Sequence, residues 1–276
     1  MFDRKDLKGY RALVTGASSG IGEEFARQLA ERGADLVITA RRTDRLEALA
    51  KDLREKCSVE VQVVSVDLCQ SDAGEKLFNA VTEGGKFVNV LINNAGIGSY
   101  GPFMQRPLQR HLDTIQVDCT ALMELTYRFI QHMLTHRKPS FITNVASIAA
   151  FQGVANFVTY SGAKGFVRQF SETLNWELQG TNVHITCLCP GGTTTEFFQQ
   201  SGQKITESGQ STMMLASEVV RIALNGMFSR KAIVIPGLLN KLACFFPRLV
   251  PRYFALWLAY KVMNRAVQIE EKSATM

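Results

Sequence analysis

The sequence predicts one doubly wound α/β domain: a parallel sheet of seven strands with helices on both faces, followed by a C-terminal helical extension. Three observations predict it. Short β-branched apolar runs alternate with longer segments of helical period, the pattern of a parallel sheet buried on both sides. At 276 residues and 46% apolar composition, the chain can bury a core of its own. No Pro/Gly/Ser-rich linker, low-complexity tract or internal repeat divides it. Residues 1–237 are therefore assigned to the domain and 238–276 to the extension.

The strand-like runs are 12–15, 35–40, 60–66, 88–93, 140–145, 183–189 and 232–235. Between them, 20–32, 43–56, 71–82, 108–137, 156–179 and 216–228 carry helical period. The net charge of +6 is local. From Arg230 to Arg265 there are seven basic residues and no acid, and without them the balance is 24 − 25 = −1. A general nucleic-acid function has no support from such a distribution. The N-terminus has charges where a signal peptide has its apolar core, and no uncharged apolar run approaches the roughly 20 residues of a membrane span. None of the six cysteines forms a C-x-x-C pair, and several lie in apolar runs. These features predict a reduced, cytoplasmic protein. His111, His132, His136 and His184 have no ligand-like grouping, so no metal is expected.

The first strand runs into Thr15–Gly22, TGASSGIG, and a helix follows. Gly16, Gly20 and Gly22 let a backbone turn tightly against a diphosphate, which amides and the positive helix end would hold. Ile21 belongs to the same turn, and Ser18 and Ser19 add hydroxyls. The second strand ends Ala40-Arg41-Arg42, with Arg45 one turn on. An acid at this strand tip suits the ribose hydroxyls of NAD; guanidinium groups suit a 2′-phosphate. NADP(H) is therefore the expected cofactor. The third strand ends Val66-Asp67-Leu68, where Asp67 could accept from an adenine amino group or cap the next helix.

From Pro139 to Ala163 there is no Asp, Glu, Lys or Arg; then Lys164 appears, four residues after Tyr160. Residues four apart share a helix face. A free tyrosine, with a pKa near 10, is a poor base at neutral pH, and a nearby ammonium favours its phenolate. Tyr160 could then exchange a proton with a substrate oxygen, held by Ser147 from the end of the fifth strand. Lys164 can also reach a ribose hydroxyl.

In order along the chain stand TGASSGIG, NNAG (93–96), Ser147, YSGAK (160–164) and PGGTTT (190–195). With these motifs the chain resembles the short-chain dehydrogenase/reductase family over about residues 10–237. The resemblance implies a single Rossmann-like domain and reversible hydride transfer between NAD(P) and a carbonyl/alcohol pair. It implies a pyrophosphate turn at Gly16, Ser18, Gly20, Ile21 and Gly22, a basic NADP site at Arg41 and Arg42, and an adenine-side Asp67. Asn94 would lie near the cofactor, and Pro190, Gly191, Thr193 and Thr195 would flank the nicotinamide. Ser147, Tyr160 and Lys164 match the catalytic serine, tyrosine and lysine. The family often has an asparagine after the fourth strand, carrying water to the lysine; here Asp118 occupies that place. It could hold water or pair with Lys164, and so stand as a fourth member of the catalytic set, or it could be a helix acid satisfied locally. Thr193 stands where an apolar residue is common.

A lid is expected over 194–215, where Phe197, Phe198, Met213 and Met214 either line a lipid-like, steroid or aromatic carbonyl site or simply pack. Phe151 and Phe157 could extend the same wall. The expected reaction reduces an apolar ketone or aldehyde such as a 3-oxoacyl or steroid-like substrate; the alternative is a non-catalytic NADPH-binding scaffold or sensor. The resemblance implies a homodimer or homotetramer through helices 108–137 and 156–179. The basic, aromatic tail over 238–265 could cover the cleft or pack on a neighbouring subunit, lie on an anionic membrane, or bind an acidic carrier protein. Covering or packing is the first choice, because Arg252, Lys261, Asn264 and Arg265 do not share one helical face.

Overall fold

The structure, a computed structural model, describes residues 6–269. Seven strands form one parallel sheet: β1 (Arg11–Thr15), β2 (Asp35–Ala40), β3 (Val61–Ser65), β4 (Val90–Asn93), β5 (Ser140–Val145), β6 (Val183–Leu188) and β8 (Ile233–Val234). Their order is β3-β2-β1-β4-β5-β6-β8. It reverses between β1 and β4, which places a crevice at the carboxyl ends of the strands where doubly wound sheets bind ligands. Helices α1 (Gly20–Ala30), α2 (Thr43–Cys57) and α9 (Ala216–Phe228) cover one face of the sheet, and α3 (Ala73–Thr82) with the long helices that follow β4 and β5 cover the other. Each face of the sheet has its own apolar layer. Phe25, Leu29, Ile38 and Phe141 fill one, and Leu13, Leu77, Phe129 and Ile142 fill the other.

The segment expected as one helix over 108–137 is interrupted. It forms α4 (Leu108–Ile115), a π-helical turn (Gln116–Ala121) and α5 (Leu122–Leu134). The extra residue of a π turn re-aims side chains without ending the helix. Asp118 sits in that turn and is fully buried. The helix α6 (Val158–Glu177) carries Tyr160 and Lys164 on its buried side.

After β6 the chain forms α7 (Phe197–Ser201), β7 (Gln203–Ile205) and α8 (Glu207–Gln210). The extension contains α10 (Leu238–Phe245), α11 (Arg252–Ala266) and β9 (Val267–Ile269). An antiparallel β7–β9 pair, unforeseen in the sequence, joins lid to tail, with Gln203 opposite Ile269 and Ile205 opposite Val267. Thr206 reinforces the junction by donating from Oγ1 to the carbonyl of Arg265 at 2.9 Å.

At the first turn, Gly22 lies against backbone. A Cβ there would collide with the Gly16 carbonyl and the Asn94 amide. Overpacking against groups that cannot move costs about 1–3 kcal/mol. Gly22→Ala is therefore expected to lower stability by that amount in urea unfolding.

Candidate active site

A cavity of about 1180 Å³ occupies the crevice, running from the β1–α1 turn past β5 and α6 to the extension. Gly16, Ser18, Ser19, Gly20 and Ile21 line one end, with Arg41, Arg42, Asp67, Leu68 and Asn94. Ser147, Tyr160, Lys164, Pro190, Gly191, Thr193 and Thr195 line its middle.

The glycine turn is a cradle made possible by missing side chains. Gly16 has φ +68° and Gly20 φ +60°, and Cβ atoms on them would meet Ala95 Cα and Thr195 Cγ2, each at 2.9 Å. Asn94 braces the turn, donating from Nδ2 to the Thr15 carbonyl at 2.9 Å, while Thr15 Oγ1 accepts from the amides of Asn94 and Ala95. Asp67 Oδ1 accepts from the Cys69 amide at 3.1 Å and so closes a local turn; α3 starts later, with Asp72 as its N-cap residue. Arg42 reaches across the turn, donating to Ser18 Oγ at 3.0 Å and to Ser19 Oγ at 2.8 Å. Arg41 is exposed beside it. Glu196, the N-cap residue of α7, which sequence reading missed, pairs with Arg42 at 2.9 Å and with Arg45 at 2.7 Å. It is the lone acid between Glu177 and Glu207, but nothing local to it signals a partner some 150 residues earlier. The pairing holds its carboxyl below the usual range.

Tyr160, Lys164 and Ser147 converge in the middle of the cavity, and Asp118 stands behind them. Lys164 is 4% exposed. Its Nζ lies 2.9 Å from Asp118 Oδ2, donates to the Val145 carbonyl at 3.0 Å and sits 5.5 Å from the centre of the Tyr160 ring. Asp118 Oδ1 accepts from the Ile97 amide at 2.8 Å. Burial pulls the Lys164 pKa down, but the carboxylate and the phenol outweigh it, and the net direction is up. Burial pushes Asp118 up despite the ammonium beside it. Burial likewise raises Tyr160; the charge of Lys164 and a hydrogen bond from Ser147 oppose this, and Asp118 adds to it. Ser147, two residues past the end of β5, is the N-cap of a short turn, its Oγ accepting from the Ala149 amide at 3.1 Å. The Ile148 amide donates to the Pro190 carbonyl at 3.0 Å, tying this corner to the 190–195 loop.

Beyond Tyr160 the cavity is an apolar chamber. Phe157 stacks on Tyr160 with ring centres 4.1 Å apart, and Phe197 lies 5.4 Å from the same ring. Val154, Ile205, Met263 and Val267 complete this wall. Phe198 and Met213 also line the cavity. Two expected lining residues are placed elsewhere. Met214 packs on the main core, and Phe151 turns its ring to Arg168, 4.6 Å away. Thr193, expected beside the nicotinamide, is buried and donates to the Gly191 carbonyl at 3.1 Å. Two further residues went unread in the sequence. Gln203 is 3% exposed; its Nε2 donates to Ser201 Oγ at 3.0 Å, and its Oε1 has no partner among the described residues. Asn240, at the start of the tail, packs so closely on Gly191 that no Cβ fits between them.

A doubly wound sheet with a glycine cradle at the switch point, and a buried tyrosine–lysine pair in the same cavity, defines an oxidoreductase that works with a nicotinamide cofactor. A model of the short chain dehydrogenase family matches residues 10–206, and the chain belongs to that family of enzymes. A very-long-chain 3-oxoacyl-CoA reductase of Phaeosphaeria nodorum is 34% identical over 185 residues, 66% of this chain and 54% of that protein. The match thus spans only about half of that relative. Serine 3-dehydrogenase of Agrobacterium fabrum is 32% identical over 186 residues, 67% of this chain and 72% of the relative. A short-chain dehydrogenase from Sphingobium yanoikuyae, solved in complex with NADPH, superimposes with a TM-score of 0.77 at 29% identity. That superposition covers 96% of this chain and 98% of the other.

Asp118 sets a pH prediction. Carbonyl reduction with Tyr160 as proton donor would be flat near neutral pH and fall as pH rises through its raised pKa. Asp118 holds up the pKa of both Tyr160 and Lys164. Asp118→Asn is expected to move the alkaline limb of kcat/KM to lower pH. An unmoved limb would show that the carboxylate has no hold on the proton donor.

Proposed function

We propose that this enzyme reduces an apolar ketone or aldehyde with NADPH, and that Tyr160 delivers the proton. The observation that carries the reading is the meeting of Tyr160, Lys164 and Ser147 at the border between the glycine cradle and the apolar chamber. When bound, the nicotinamide supplies a hydride to the carbonyl carbon. Ser147 holds the carbonyl oxygen in place, and the Tyr160 hydroxyl donates its proton there, yielding the alcohol. Lys164 stabilises the phenolate left behind, and in the oxidative direction the same groups act in reverse. Asp118 keeps Lys164 charged and fixed and takes no part in contacting the substrate.

The chamber's walls favour a lipid-like or aromatic carbonyl, a 3-oxoacyl chain included, as the name of the P. nodorum relative suggests. Gln203 offers one buried amide oxygen for a hydroxyl or amide of the substrate. For the cofactor, Gly16, Ser18, Ser19, Gly20 and Ile21 would hold the pyrophosphate, with Asn94 bracing the turn. Asp67 and Leu68 would border the adenine, and Pro190, Gly191, Thr193 and Thr195 the nicotinamide. Arg41, Arg42 and Arg45 would hold the 2′-phosphate, with Glu196 standing in for it in the free enzyme. Residues 1–237 form the cofactor and catalytic domain in this reading, and 238–276 belong to a separate extension. The exposed apolar residues Leu112, Met123, Tyr127 and Trp176 on α4, α5 and α6 suit a homodimer or homotetramer contact. A reduced, cytoplasmic setting suits the six unpaired thiols.

Three variants test this. Tyr160→Phe is expected to cost at least about 10²–10⁴-fold in kcat for ketone reduction, followed by NADPH absorbance, with NADPH affinity nearly intact. Wild-type turnover in this variant would overturn the mechanism. Arg41→Ala with Arg42→Ala should weaken NADPH far more than NADH in fluorescence titrations; equal losses would remove the 2′-phosphate assignment. Glu196→Gln should tighten NADPH severalfold at low salt, since an exposed pair is worth about 0.2–1 kcal/mol.

A further inference from the structure

The extension has two sides. Inward, Ala255, Ala259, Met263 and Val267 close the chamber. Outward, it leaves apolar side chains in the open: Leu239 is 75% exposed, Leu249 67%, Tyr253 89% and Trp257 52%. On α11, Tyr253, Leu256, Trp257 and Tyr260 recur at helical spacing and form one stripe opposite Ala255 and Ala259. On and just after α10, Leu242, Phe245, Phe246 and Leu249 line the cavity and are also exposed. The mouth of the chamber therefore opens through the apolar patch itself. A contiguous exposed patch of this kind marks an interaction surface.

Charge selects the occupant. The seven basic residues from Arg230 to Arg265 have no acid among them. Lys241, Arg248, Arg252 and Lys261 are exposed, and among the described residues none of the four is in an ion pair. Arg252 and Lys261 lie on opposite flanks of the aromatic stripe, so the lack of a shared charged face, which counts against a membrane in the sequence, is here the arrangement that lets long cationic chains reach outward around an inserted centre. A second copy meeting this face across a two-fold axis would set cations against cations. An anionic lipid surface complements it: tyrosine and tryptophan settle at headgroup depth, and lysine and arginine meet the phosphates. Among the described residues no helix is long and apolar enough to cross a membrane, so the contact lies in the interfacial plane.

We propose that α10 and α11 dock the enzyme on an anionic bilayer, with the mouth of its chamber turned to the acyl layer. That an apolar carbonyl enters by this route rests on the activity proposed above; the docking itself does not, and its test reads no turnover.

The chain has two tryptophans, Trp176 and Trp257, so Trp176→Phe leaves Trp257 as a sole reporter. Full-length protein is mixed with vesicles of phosphatidylcholine alone or with one third phosphatidylglycerol. With the anionic vesicles the emission should shift to the blue, be quenched by brominated acyl chains, and recover in 1 M salt, where the screening length is only about 3 Å. Adding Lys241→Gln and Arg252→Gln should weaken partitioning about thirtyfold. No shift on anionic vesicles overturns the proposal, and so does equal binding to both vesicle types. A lipid-independent shift that grows with protein concentration also overturns it, assigning the face to a second copy of the chain.

Discussion

Hiding an ammonium is the constraint around which the site is arranged. Desolvating a lone cation costs several kcal/mol, so the surroundings must supply compensating oxygens. Two separate parts of the chain supply them, and a third adds an aromatic face. The π turn brings the Asp118 carboxylate, the end of β5 brings the Val145 carbonyl, and α6 brings the ring of Tyr160. Space is the other half of the bargain: a Cβ on Gly96 would stand 3.2 Å from the Lys164 nitrogen. The Gly96 backbone thus passes over the pair because it has no side chain to offer.

The sheet beneath makes this placement reproducible. Polar side chains in its centre are tied together: Asn93 donates to Thr126 and to Asn144, and Asn144 donates to Ser171, which donates in turn to a carbonyl of α6. A buried network of this kind links β4, β5, α5 and α6 in one register. Tyr160 and Lys164 ride on α6, about three and two turns from Ser171 respectively. The same physics that positions them also restrains them: with Asp118 so near, Lys164 lends less of its field to the phenol, and burial holds Tyr160 in its protonated form at neutral pH.

Much of this was legible in the sequence, for identifiable reasons. Buried parallel strands are apolar runs, and all seven were found, with ends shifted where a run outlasts its ladder; the last run, read as 232–235, pairs only at Ile233 and Val234. Tyr160 and Lys164 were legible because a lone charge after a long uncharged stretch stands out. The break at Asp118 was hidden, because one extra residue in a turn hardly alters an apolar period of three to four. Pairing of β7 with β9 was hidden too: strands of three residues carry almost no alternation, and their partners lie some sixty residues apart. Glu196 escaped notice because its partners are set by the fold, and the orphan oxygen of Gln203 because burial cannot be read from one residue type.

The small β7–β9 ladder ties two lengths of chain to each other. Along β7 the side chains alternate, Gln203 inward and Lys204 outward. A one-residue slip of β7 against β9 would reverse that alternation and present a lysine to the apolar chamber. The register of this short ladder decides which side chains of 203–205 face the chamber. The wall beyond Tyr160 is in this way set from both strands of the ladder at once, by Ile205 on one and Val267 on the other.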